Sequence, residues 1–553
     1  MPNLSARMTT APEFVPAATL ATALLESYNV PAKPGSKAFN LAQAAFETFL
    51  RGATCVEVEA SSLVDVPDCL LAIDKPSTTK KPLVVRNGKL YLARLDHLEA
   101  LLAQQILERL KPRNADVTPQ AHWLPQPKPD STFTAADQRE AVKLAVQAPF
   151  AVLTGGPGTG KTTTASCIIG ATLETYKIKP EDVRLCAPTG RAASQLHGGL
   201  IEDDKALVKN AKHLGCQSNE ELRQRLPKAY TIHKFIRNPD MMEGAKLVVV
   251  DECSMIDLGL FHDLLRLIPK DARIVLIGDP QQLPSVDTGS VFRDLCGQGC
   301  LAPYLVTLKE PIRAQGQAKS WYDFVVEYKD RTRTPHPAEG LVKASADNVM
   351  AACIEAFKAI VKLAHEECYT NPAVTPSAKA LLMLSQTIKS IRVLCAFHRG
   401  PLGVRKLNEA IRNALNLEGS ESPGALIMIT RNDHDVTDLS NGDVGLVVKG
   451  GRVWFPGKTV AIPFNQLPPH TPAFATTIHK SQGSEYGKVL LVLPQPEDEP
   501  NEEAEPFINK QLVFTGITRA RDTIALFTTS DILYTALGKS ADRASGLAER
   551  LGK

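Results

Sequence analysis

Residues 155–162 read Gly-Gly-Pro-Gly-Thr-Gly-Lys-Thr, directly after the apolar run Phe150 to Leu153 and before a helical pattern that begins near Lys161. A glycine-rich loop between a buried strand and a helix turns backbone N–H groups inward, and the helix N-terminus adds positive potential at the same place. Such a nest takes phosphate. Gly155, Gly156, Pro157, Gly158, Thr159 and Gly160 form the cradle, Lys161 brings a charge to the β- and γ-phosphates, and Thr162 and Thr163 open the helix. The Thr162 hydroxyl is placed to ligate Mg2+, so the motif implies ATP and Mg2+ as cofactors.

The surrounding text fits that placement. Val183 to Ala187, Leu247 to Val250 and Ile274 to Ile277 are short, nearly continuous apolar runs followed by loops and helices, which predicts parallel strands covered on both faces. The third of these four runs ends in Asp251-Glu252, so an apolar strand delivers two carboxylates to its carboxyl end beside the phosphate loop. Asp251 would hold Mg2+ through its water shell, and Glu252 would orient or deprotonate an attacking water. Together with the loop, the pair predicts hydrolysis and not binding alone.

A second series of strands, Val393 to Phe397, Val489 to Leu493 and Thr523 to Phe527, predicts a second α/β unit. Between them, Ala425 to Ile429, Gly445 to Val448, Val453 to Phe455 and Thr459 to Ile462 alternate with Asn441-Gly442 and Gly450-Gly451, a pattern of hairpins in a small inserted β-barrel. Ahead of the first motor-like unit, Lys81 to Leu92 predicts a hairpin turning at Asn87-Gly88, and Leu20, Leu24 and Leu25 share one helical face. The apolar segment Val15 to Leu25 is read as an amphipathic core helix in preference to a signal peptide. Pro119, Pro125, Pro127 and Pro129 predict an extended linker, and the acidic run Glu497 to Glu505 a solvated loop.

The 553 residues carry 63 Lys plus Arg against 60 Asp plus Glu, so any nucleic-acid site must be a local groove. No apolar run reaches membrane-spanning length, which argues against a membrane protein. The scattered cysteines, with only Cys296 and Cys300 close together, offer no paired zinc motif and point to reduced thiols in a cytoplasmic protein.

Six further segments follow in order: Ala187 to Ala193, Thr231 to Lys234, Gly278 to Pro284, Leu308 to Arg313, Thr477 to Glu485, and Thr515 to Arg521. With the two nucleotide motifs they resemble the motif set of superfamily 1 helicases, and within it the RecD family, the alpha subunit of the RecBCD enzyme (exonuclease V). Leu394 to Phe397 with Gly400 to Val404, and the closing Ser545 to Ala548, are similar to family signatures. The resemblance implies two RecA-like P-loop motor domains, a helical N-terminal domain and a small inserted SH3-like β-barrel. Its boundaries here are 1–115 for a partner-docking domain, 130–305 for motor 1A with an insertion about 200–245, and 306–553 for motor 2A with the barrel about 424–470.

Carried over residue by residue, the resemblance makes Gln138 the reader of the adenine edge, Gln282 the γ-phosphate sensor, and Arg313 and Arg519 the arginines supplied by the second motor. Glu485 would contact the ribose. Thr189, Gly190 and Arg191 on one side, Thr477, His479 and Ser481 on the other, and His233 would contact single-stranded DNA. The family departures are Cys253 in place of alanine, Ile312 in place of an aromatic, Phe514 and Gly516 in place of tyrosine and alanine, and a short stretch between Cys300 and Leu308. The implied activity is 5′→3′ ATP-dependent DNA helicase and translocase acting at single-stranded and duplex DNA ends in double-strand break repair by homologous recombination. The implied partners are RecB-like and RecC-like subunits, one of which carries the nuclease. The alternatives are a stand-alone RecD-like helicase and a DNA-binding scaffold subunit with weak ATPase.

Overall fold

The computed structural model describes residues 15–74, 80–112, 114, 116–127, 134–202, 204–297, 299–309, 316–329, 336–337, 339–370, 376–433, 436–494 and 508–552. Arg313, Ile312 and the acidic run from 497 to 505 lie outside these residues.

The phosphate-loop strand Phe150–Gly155 sits inside a six-stranded sheet whose order is 305–308, 150–155, 273–278, 247–250, 183–187, 230–231, and every pairing is parallel. Its residues alternate between two cores. Phe150 and Val152 pack with Val248, Val250 and Phe261 on one face, while Ala151 and Leu153 pack with Val249, Ile168 and Leu196 on the other. A strand that must serve two apolar layers has no polar face, which is why the sequence shows continuous apolar runs here and not alternation.

A second parallel sheet runs 341–342, 520–527, 486–492, 391–395, 475–477. The strand expected at Val393 to Phe397 spans Ile391–Cys395 instead. It begins earlier because Arg392 is buried in the sheet, with its guanidinium donating to the carbonyls of Ile388 and Ala473. A buried charge in a strand interrupts the apolar signal.

The inserted strands form a five-stranded antiparallel sheet ordered 462–463, 452–454, 444–448, 426–429, 470–472. The segment expected as Thr459 to Ile462 contributes only Ile462–Pro463, and the strand His470–Pro472 was not anticipated. Leu426, Leu446, Val453 and Trp454 share one core with Val393, Leu490 and Val492 of the second parallel sheet. The Trp454 indole N–H donates to Tyr369 O at 3.0 Å. The insertion is therefore welded to its host sheet.

The N-terminal region is not purely helical. Helices Ala17–Ser27, Lys37–Leu50 and Ala93–Leu107 accompany a four-stranded sheet ordered 55–57, 89–92, 83–86, 71–73. Its strands are three or four residues long, too short to show a period in sequence. The expected hairpin pairs Leu83–Arg86 with Lys89–Leu92, and its turn residues Asn87 and Gly88 both have positive φ, 50° and 74°. Ala17–Ser27 packs on Lys37–Leu50 through Ala21 and Leu25, as expected of a core helix, with Leu20 and Leu24 half-buried. Among the described residues no helix is long and apolar enough to cross a membrane.

Two tethers hold this region to the first parallel sheet. The chain's end returns to it: Glu99, fully buried, accepts from Thr54 Oγ1, Ser545 Oγ, the Gly546 N–H and Arg550 Nε, and buried Asp96 accepts from Arg86 Nε at 2.8 Å and Arg550 Nη2 at 2.5 Å. The described part of the proline-rich linker is pinned as well. A 3-10 turn at Ala121–Trp123 buries the Trp123 ring against Gly170 in the phosphate-loop helix, where any Cβ would run into the indole.

Candidate functional site

The phosphate loop closes between Gly155 and the helix Lys161–Tyr176, with Gly158 and Gly160 at φ 75° and 88°, a conformation that side chains avoid. The Thr159 hydroxyl donates to Gly156 O at 2.8 Å, and the Lys161 ammonium bridges Gly155 O at 2.8 Å and Gly156 O at 3.0 Å. Those carbonyls hold the ammonium where phosphate oxygens could replace them. Gln138, buried, donates from Nε2 to Thr159 O at 3.2 Å, which fastens the helix Ala136–Gln147 to the loop. Ala135, Asp137, Gln138, Thr159, Leu308 and Lys309 line a small pocket there, and Asp137 accepts the Lys309 N–H at 3.0 Å.

The strand Leu247–Val250 ends at the same cleft. Asp251 accepts the Glu252 N–H at 2.8 Å, and Glu252 itself sits at φ 52°, a strained left-handed position for a residue with a side chain. Burial, reinforced by the charge of Glu252, pushes the Asp251 carboxyl up to about 7, with Lys161 pulling the other way. A carboxylate that destabilised becomes a strong cation ligand, so Asp251, Glu252 and the half-buried Thr162 are a donor set that fits Mg2+. Cys253, the departure from alanine, is buried, and its thiol donates to Val250 O, leaving the carboxylates undisturbed.

The loop after Arg273–Gly278 joins this first half to the second. Asp279, buried and raised by that burial, accepts the Gln281 N–H at 2.9 Å and Gln282 Nε2 at 3.2 Å. Among the described residues the buried Gln282 Oε1 has no hydrogen-bond partner, a polar atom facing an unfilled requirement. Next to it the Leu283 N–H donates to Thr515 Oγ1 at 3.0 Å, and Gln482 Nε2 donates to Leu283 O at 3.1 Å. Arg519 is 3% exposed, and its hydrogen bonds go to uncharged oxygens: Thr515 O, Ser484 O and Thr518 Oγ1. Gly516 follows from packing, since a Cβ there would lie 2.8 Å from Leu491 Cδ1. Pro157 and Gly158 face Glu485, Thr518, Ala520, Arg521 and Tyr322 across a small open cleft.

Two family models match the chain: the AAA domain over residues 138–288 and the UvrD-like helicase C-terminal domain over residues 472–527. Over 481 residues the chain is 30% identical to the RecBCD enzyme subunit RecD of Haemophilus influenzae, covering 75% of this chain and 72% of that protein. The chain belongs to the RecD family. A second RecD, from Mycolicibacterium smegmatis, is 29% identical over 529 residues and 90% of this chain, 91% of its own. The ATP-dependent RecD2 DNA helicase of Deinococcus radiodurans is 28% identical over 466 residues, 81% of this chain and 56% of that protein.

In this RecD-family chain Pro157, Gly158 and Glu485 line one cleft, Gln138 and Thr159 line a second pocket, and Asp251 and Asp279 lie within electrostatic reach of Lys161. The expected DNA-contact residues behave differently. The Thr189 and Thr477 hydroxyls accept the N–H groups of Ala192 and Lys480, and Ser481 is fully buried with its hydroxyl on Ile478 O. Gly190 lies against Ser440, and Arg191 Nη1 donates to Gly442 O at 3.0 Å, so this segment is covered by the inserted sheet. His233 and His479 are exposed. Sequence reasoning passed over Tyr322, whose hydroxyl occupies the space a Cβ on Gly156 would need, and over Asp279, Gln482 and Thr515. The last three stood inside recognised motifs; Tyr322 carried no local signal.

Proposed function

We propose that this RecD-family chain is an ATP-dependent DNA helicase and translocase that moves 5′→3′ as the alpha subunit of a RecBCD-type helicase-nuclease. Its biological work is double-strand break repair by homologous recombination, on single-stranded and duplex DNA ends, with RecB-like and RecC-like subunits as partners and the nuclease in a partner. The observation that carries the reading is the bridge from Leu283 to Thr515 and Gln482, because it ties the residue beside the γ-phosphate sensor to both motifs of the second sheet.

In this reading 1–115 docks partners, 130–305 and 306–553 are the two motors, and the insertion about 424–470 is SH3-like. Gln138 reads adenine, residues 155–163 cradle the phosphates, Lys161 neutralises their charge, and Glu485 meets the ribose. Thr162 and Asp251 would hold Mg2+, which when bound would neutralise phosphate charge. Glu252 orients or deprotonates the attacking water. Gln282 and Arg519, with Arg313, sense the γ-phosphate, so hydrolysis waits on closure of the cleft. Alternating closure and opening moves the DNA-contact residues Thr189, Gly190, Arg191, His233, Thr477, His479 and Ser481 along a strand. Opening of the Arg191–Gly442 contact exposes part of that track. The chain works in the cytoplasm.

Strand displacement from tailed duplexes tests the reading. Unwinding is expected on 5′-tailed substrate and to vanish in Lys161→Ala together with DNA-stimulated phosphate release. Unwinding only from 3′ tails, or hydrolysis unchanged in Lys161→Ala, would overturn it. Co-purification of the tagged native chain is expected to bring down two further subunits.

A further inference from the structure

His122, Glu174 and His213 come from three separate segments: the linker turn Ala121–Trp123, the last turn of the phosphate-loop helix Lys161–Tyr176, and the turn Ala211–Leu214. One ligand atom from each lies within 4.8 Å of the others. His122 Nε2 faces Glu174 Oε2 at 2.8 Å, and the two imidazoles stack with centroids 3.9 Å apart and planes 21° from parallel.

Supporting bonds fix the group from behind. The Trp123 indole N–H donates to Glu174 Oε2 at 2.5 Å. Asn210 Nδ2 donates to His122 O at 3.2 Å, while the His213 N–H donates to Asn210 O at 3.0 Å, so one asparagine ties both histidine segments together. A carboxylate held by an indole N–H beside two imidazoles is the composition of a transition-metal site.

We propose that His122, Glu174 and His213 bind a divalent transition-metal ion, with Zn2+ the best chemical match. Two imidazoles select against Mg2+, which prefers oxygen ligands, and a His2Glu set leaves the fourth tetrahedral position to water. Ligand atoms around tetrahedral zinc stand roughly 3.4 Å apart, so an edge of up to 4.8 Å contracts by as much as about 1.4 Å, the 2.8 Å His122–Glu174 edge widens and the imidazole stack opens, a rotation that exposed His213 can make. The ion takes the place of the hydrogen between His122 Nε2 and Glu174 Oε2, and the neutral imidazole then carries its N–H on Nδ1. Its effect is to staple the linker to the far end of the phosphate-loop helix and to the segment that carries His213, away from the nucleotide cleft.

The test uses the full chain stripped with a chelator and titrated with Zn2+ against a chromophoric competitor, then with Co2+. The wild type should take up one equivalent more than His213→Ala or Glu174→Gln, with weak visible Co2+ bands free of intense thiolate charge transfer. Each variant should bind at least roughly tenfold more weakly at that site. Zinc should also raise the melting temperature of the wild type and not of the variants. No uptake by the wild type, equal uptake by all three chains, or a thiolate spectrum that persists in the variants would each overturn the proposal.

Discussion

The Leu283 N–H donates to the Thr515 hydroxyl across 3.0 Å, joining the loop that carries Gln282 to the helix Lys510–Ile517 that leads into Arg519. Both partners are buried. Thr515 O also accepts Arg519 Nε at 3.0 Å, so one residue contacts both the loop of Gln282 and the guanidinium of Arg519.

Thr515→Val keeps shape and removes the acceptor, leaving a buried N–H unpaired at a cost of about 1–3 kcal/mol in the closed cleft. DNA-stimulated ATP hydrolysis should fall about tenfold, a barrier change of about 1.4 kcal/mol. ATP affinity measured by calorimetry should change little. A large loss of affinity with normal turnover would refute the coupling role.

Arg519→Ala should separate binding from chemistry. Its guanidinium is held by uncharged oxygens, a reserve of positive charge near Asp279 rather than half of an ion pair. Arginines that stabilise a transferring phosphoryl group are worth about 10³–10⁵ in rate. Single-turnover hydrolysis should drop into that range while a fluorescent nucleotide still binds. Failure to bind would mark Arg519 as structural.

Arg550→Ala should loosen the clamp between the chain's end and the N-terminal region. The change strips one partner from Asp96 and one from Glu99, and breaking buried pairs in this way typically costs about 3–5 kcal/mol. Chemical denaturation should report it. Burial alone would raise the Asp96 carboxyl, but hydrogen bonds from Arg86 and Arg550 outweigh it and hold it below its ordinary 3.8. A depressed folded value means that this contribution is complete above 3.8 and is lost as pH falls through the folded value. On acidification from about pH 5 to about pH 3, the wild type should therefore lose more stability than Arg550→Ala.

Gly170→Ala tests the linker's anchorage. Alanine normally favours a helix interior, but here its methyl meets the Trp123 ring, so the sign reverses to a loss of about 1–3 kcal/mol. Tryptophan fluorescence should shift as the indole leaves its slot. A stabilised variant with unchanged emission would contradict the packing.

The sequence by itself determined the chemistry-bearing loops and the strands that aim them. Phe150, Val249 and their neighbours must satisfy two apolar layers, so continuous runs mark parallel strands, and Gly158 and Gly160 stand where the backbone needs positive φ. The ordered motifs likewise single out Asp251, Gln282 and Arg519, and the family resemblance adds Gln138. Tertiary structure alone decided what lies far apart in the chain. The strands of three or four residues in the N-terminal sheet draw their stability from cross-strand partners, which no local window contains. Tyr322 reaches Gly156, Arg550 reaches Asp96 and His213 reaches His122 only because folded sheets bring those segments together. Local propensity acts over a few residues, whereas these contacts rest on packing and on burying charge beside its counter-charge, and those conditions exist only once the chain is closed.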